Sequence, residues 1–86
     1  MEEDIKFYNE RKLYSIIGSN IKYYRRLYSV TKKEITQNDL AKLINTSTSL
    51  IGNLESKNTY QGISVYNLYK ISKILEVPID DFFIQH

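Results

Sequence analysis

The chain has no cysteine, and its single histidine, His86, is the last residue. The first absence excludes disulfides and a cysteine-built metal site. The second leaves Ser–His or Cys–His catalysis without a base. No His, Cys, Asp and Glu set has metal-ligand spacing, so neither a metal nor another cofactor is expected. The three glycines, Gly18, Gly52 and Gly62, stand alone, which excludes a loop that cradles a nucleotide's phosphates. Asp80 and Asp81 form the one late carboxylate pair. They are better explained as favourable charges at a helix start than as an acid–base pair. An enzyme is therefore not expected. No apolar run approaches the ~20 residues of a membrane span. The opening MEEDIKFYNE is acidic where a secretory signal would be basic. These features fit the cytoplasm.

At 86 residues the chain is long enough for one domain with a single core, without room for a separate effector-binding domain. The net charge of +2 conceals an uneven distribution. Acids gather at the ends, as Glu2, Glu3, Asp4 and Glu10, then Glu76, Asp80 and Asp81. Between residues 11 and 75, eleven lysines or arginines face three acids, leaving +8. That is the footprint of a phosphate-binding surface.

The most informative stretch is Thr36 to Ser56, TQNDLAKLINTSTSLIGNLES. Thr36 can cap a helix, with Asp39 three residues on completing a capping box. Leu40, Leu43 and Ile44 follow at helical spacing. Asn45 suits the left-handed residue that ends a helix sharply. Ser47 can cap a second helix with Ile51 and Leu54 inward. Thr48, Ser49, Gly52 and Asn53 remain on its outer face, small, polar and uncharged. Such a face suits the major groove of DNA, where Asn can bond an adenine edge and Ser or Thr several bases.

These two helices resemble the helix-turn-helix of the lambda-repressor/Cro-like (Xre) family. The matching residues are Thr36-Gln37, Leu40-Ala41, Asn45 in place of a turn glycine, Ser47, Ile51 and Glu55. Ile17-Gly18, Ile21 and Arg25 resemble the family's first helix. Leu68, Ile71, Leu75, Val77 and Phe82 resemble its fourth and fifth, so that the likeness covers roughly residues 16–83. It implies an all-α, five-helix, lambda-repressor-like DNA-binding domain over 13–86, preceded by an extension over 1–12. It also implies roles. Thr48, Ser49 and Asn53 fall on base-reading positions. Gln37 falls on a DNA-backbone position, as do Ser47 and the loop residues Lys57, Asn58 and Thr59. Arg25 and Glu55 form a structural ion pair between the first and third helices.

The rest of the chain is expected to frame this unit. The first helix should run from about Leu13 to Leu27, followed by a long linker over 28–35. The second and third should span 37–44 and 47–56. A fourth should start after Ser64 with Val65, Leu68, Ile71, Ile74 and Leu75 inward, and stop before Pro78. A short fifth helix carries Phe82, Phe83 and Ile84, too many apolar residues to bury on one side. With Tyr60 they are expected to form a dimer contact. The expected partners are double-stranded DNA and a second copy of the chain, with no membrane. The expected function is a small transcriptional repressor on a palindromic operator. The alternatives are an antitoxin or controller that binds DNA and a partner protein, and a helical interaction module without DNA function.

Overall fold

The computed structural model describes residues 5–86, all helical or irregular, with no strand among them. Of the N-terminal extension, residues 1–4 lie outside the described residues, and 5–9 precede the first helix. Four α-helices, α1 (Glu10–Thr31), α2 (Gln37–Leu43), α3 (Thr48–Glu55) and α4 (Val65–Leu75), are followed by a 3-10 helix over Ile79–Phe83.

α1 starts earlier and ends later than its apolar spacing predicts. Asn9 caps it, accepting the Lys12 N–H at 2.8 Å. The first four N–H groups of a helix lack internal partners, and an Asn side chain supplies one. At the other end, residues 28–31 form a last turn of α1 where a linker was expected. No glycine or proline interrupts 19–35. Tyr28 packs against the core, and the Thr31 hydroxyl donates to the Leu27 carbonyl. The extra residues are thus absorbed by the helix. Residues 32–35 then fold back, and Ser29 grips Ile35 through its N–H at 2.9 Å and its carbonyl at 3.2 Å. Ile35 enters the core.

α2 opens with a complete capping box. The Asp39 N–H donates to the Thr36 hydroxyl at 3.0 Å, and the Thr36 N–H donates to the Asp39 carboxylate at 2.9 Å. The bond from the Thr36 backbone, then that from its side chain, holds the Asp39 carboxyl below the usual carboxylate range. Asn45 takes a left-handed φ of 60°. The Thr46 N–H reaches the Ala41 carbonyl and the Asn45 N–H reaches that of Lys42, the paired bonds of a Schellman ending. Ser47 at once caps α3. The turn between α2 and α3 is therefore specified residue by residue.

The core lies where α1, α2, α3, α4 and the 3-10 helix converge, with Ile21, Leu40, Ile44, Ile51, Ile71 and Phe82 fully buried. Two apolar residues fall outside their expected face. Leu43 is exposed because α2 ends there, and Val65 is 80% exposed at the first position of α4. A residue in a terminal turn lacks the neighbouring turn that would cover it. Ser64 caps α4 through the Asn67 N–H, and Ile63, just before the cap, packs on the core cluster that holds Leu68.

Candidate nucleic-acid interface

α3 divides into two faces. Inward, Ile51, Leu54 and Glu55 are buried. Outward, Thr48 and Ser49 are exposed and Asn53 is half-buried, so helical spacing gathers these three on one side around Gly52. The Thr48 hydroxyl donates to Asn38 Oδ1 at 2.7 Å, bringing the end of an α2 side chain onto the same surface. Asn53 Nδ2 donates to Gln61 Oε1 at 3.5 Å. Leu50 is half-buried and packs on the core. No charged side chain of α3 is exposed. Its single ionisable residue, Glu55, points inward.

What fixes this helix is a buried polar node. Arg25 Nε donates to Glu55 Oε2 at 2.7 Å and Arg25 Nη2 to Glu55 Oε1 at 2.8 Å. A two-point fork of this kind sets orientation as well as distance. The side chains are 12% and 2% exposed. Gln37 Nε2 donates to the same Oε1 at 3.0 Å, and Arg25 Nη1 reaches the Ile35 carbonyl at 3.1 Å. α1, α2 and α3 are thus tied at one carboxylate. The hydrogen bonds to Glu55 raise the Arg25 pKa further, against the cost of desolvation. Gln37, expected to lie on a phosphate, spends one amide hydrogen on this node.

Below the node, α1 and α3 touch through backbone. A Cβ built on Gly18 would lie 1.8 Å from the Leu54 carbonyl oxygen, so only glycine permits the approach. Sequence reasoning missed this role. Its trace was a glycine inside a helix, a choice that costs ~1 kcal/mol against alanine. Asn20 was missed as well. It is buried on α1 and donates through Nδ2 to the Phe82 carbonyl at 2.8 Å and the Ile84 carbonyl at 2.9 Å. Its trace was a lone amide between Ile17, Ile21 and Tyr24 on an apolar stripe.

The loop after α3 exposes Lys57, Asn58 and Thr59, and Ser56 organises it by accepting the Asn58 N–H at 3.2 Å. Ser47 is exposed at the start of α3, with its oxygen engaged as the cap. Tyr60 turns back onto α1. Its hydroxyl donates to Glu10 Oε1 at 2.7 Å, which raises the phenol's pKa, and its ring meets that of Tyr14 at 6.3 Å.

The expected dimer set is divided by the fold. Phe82 is fully buried against Tyr24, with ring centroids 5.6 Å apart, and so is removed from any surface contact. A 3-10 helix repeats every three residues, which sends Ile79 and Phe82 inward together. Phe83 and Ile84 stay exposed, and Ile84 shares an open cavity of about 530 Å³ with Tyr23, Leu27 and His86.

No group of His, Cys, Asp and Glu that could hold a metal occurs among the described residues. None of their helices is long and apolar enough to cross a membrane. The site is a rigidly mounted short helix whose free face offers hydroxyls and one carboxamide, with a lysine-bearing loop at its end. Residues 21–82 match the family model described as helix-turn-helix. No curated protein matches the chain.

Proposed function

The chain belongs to the lambda-repressor/Cro-like helix-turn-helix family of DNA-binding regulators, and we propose that it is a sequence-specific transcriptional repressor that binds a palindromic operator as a homodimer. The observation that carries this reading is the neutral outer face of α3, held still from behind by the Arg25–Glu55–Gln37 node. Thr48, Ser49 and Asn53 read base edges there, while Ser47, Lys57, Asn58 and Thr59 meet the DNA backbone. Gln37 can still contribute its second amide hydrogen to a phosphate.

The domain is residues 13–86 with 1–12 as its extension, although α1 begins at Glu10 and crosses that boundary. One such helix covers too few base pairs for useful specificity. Two-fold dimers on half-sites about 34 Å apart supply the rest. Phe83 and Ile84, joined by Tyr23 and Leu27, form the seam on one side, and the exposed part of Tyr60 is a further contact. Val30, 85% exposed on the same helix, extends this apolar row. The row equally suits a second reading, a controller or antitoxin that holds a partner protein there while α3 holds DNA.

Selecting bound sequences from a random duplex library tests the function directly. Enrichment of an inverted repeat is expected, and a library that stays random would overturn sequence-specific binding. Sedimentation with and without the enriched duplex tests the dimer. A single subunit at saturation, with Phe83→Asp leaving affinity untouched, would sink it.

A further inference from the structure

The reading face of α3 does not end at the loop behind it. Asn53 reaches Gln61, and Gln61 lines a cavity of about 320 Å³ between that loop and the first turns of α1. Three cations line it: Arg11 and Lys12 from α1, and Lys57 from the loop. Ser56 and Thr59 add hydroxyls. No acid lines it among the described residues. Glu10 sits nearby, bonded through Oε1 to the Tyr60 hydroxyl, so three cations face one carboxylate there. Tyr60 also holds Arg11, whose guanidinium carbon lies 5.0 Å above the ring centroid. An arginine parked on an aromatic face keeps its charge and its hydrogen-bond donors while losing much of its freedom.

We propose that this cavity is a phosphate clamp, seating a DNA backbone phosphate between the α1 end and the loop after α3. Arg11 and Lys12 supply charge from one side and Lys57 from the other. Arg11, Lys12 and the positioning ring of Tyr60 thereby join the binding surface, which extends onto α1. The clamp rests on the DNA-binding reading above. It adds that a strand leaving the bases read by Asn53 is gripped by two separate elements. Such contacts position the protein without reading sequence.

The test is the steepness with which affinity falls with salt, because each neutralised phosphate releases counterions. A short mixed-sequence duplex is titrated from about 50 to 200 mM salt by fluorescence anisotropy. Arg11→Ala is expected to weaken binding and lower the slope of log affinity against log salt by about one. Arg11→Glu should lower it further. Lys73→Ala, which removes a cation on α4 that lines a different cavity beside Glu76, should leave the slope unchanged. Circular dichroism melts of each variant establish that it is folded. A wild-type chain that binds steeply, with Arg11→Ala and Arg11→Glu retaining the full slope, overturns the clamp and leaves the DNA-binding reading intact. A wild-type chain without salt-dependent duplex binding overturns both.

Discussion

Two glycines mark the two sides of α3, and they are under opposite constraints. A Cβ on Gly18, which faces α3 from α1, would meet the Leu54 carbonyl at 1.8 Å. A Cβ on Gly52, within α3, would meet only Gln37 Oε1, at an ordinary 3.5 Å. One side of the helix is closed by backbone that cannot yield. The other is open. The position and angle of α3 are therefore set from behind by Gly18, Leu54 and Glu55, whereas Thr48 and Asn53 in front make one side-chain bond each, to Asn38 and Gln61. On the proposed reading, stability and recognition reside on different faces of the same eight-residue helix.

Four single substitutions, one of them paired with a second in a double-mutant cycle, would break or sharpen that contrast. The largest effect belongs to Gly18→Ala. Backbone cannot move aside as a flexible side chain does, so the loss should exceed the ~1–3 kcal/mol of ordinary overpacking. A domain this small has little more to lose. Thermal melts should show a collapsed midpoint, and a variant melting within a few degrees of wild type would mean that α1 and α3 can part. Next is Arg25→Met, which leaves the Glu55 carboxylate buried without its fork. Breaking such a pair costs about 3 kcal/mol or more, and Glu55→Gln added to it should return part of that. Strict additivity in the double-mutant cycle would show that the two residues are uncoupled. Asn20→Ala follows at about 1–3 kcal/mol, because it strips carbonyls at the end of the 3-10 helix of their donor. Hydrogen exchange should report the loss around Ile79–Phe83.

The smallest effect on folding is expected at the front. Asn53→Ala should change stability by about 1 kcal/mol or less, since it removes only a long bond to Gln61 from a half-buried site. Yet it should cost about 1–3 kcal/mol on the preferred duplex and less on random DNA. Chemical denaturation alongside duplex titration gives both numbers. Equal losses on both duplexes would take Asn53 out of base reading.

Local chemistry made much of this legible. Thr36 with Asp39, Asn45, Ser47 and Ser64 each act within a few residues of themselves, so their caps and turn could be read directly. The Arg25–Glu55 pair came through the family likeness. The missed features depend on distant segments or on phase. Gly18 answers to Leu54, and Asn20 to carbonyls more than sixty residues away. Neither leaves more than a faint local trace. Phe82 and Phe83 are indistinguishable until the helix pitch is known, because a 3-10 repeat and an α repeat choose different members of the pair. The last turn of α1 was hidden by Lys32 and Lys33, which look like a loop. Both do lie past the helix end, where Lys32 pairs with Glu76; only residues 28–31 join the helix. Arg11 lay in a segment that appeared to precede the domain.

The absence of exposed charge on α3 has a kinetic consequence. On the proposed reading, long-range attraction to DNA is indifferent to sequence and comes from the rim, where Lys57 and its neighbours lie. The uncharged outer face of α3 adds nothing to that attraction. On that reading, such a protein travels along a duplex held by its edge, while short-range contacts of Thr48, Ser49 and Asn53 form and dissolve at each step. Raising the salt should shorten the excursion without altering which sequence ends it.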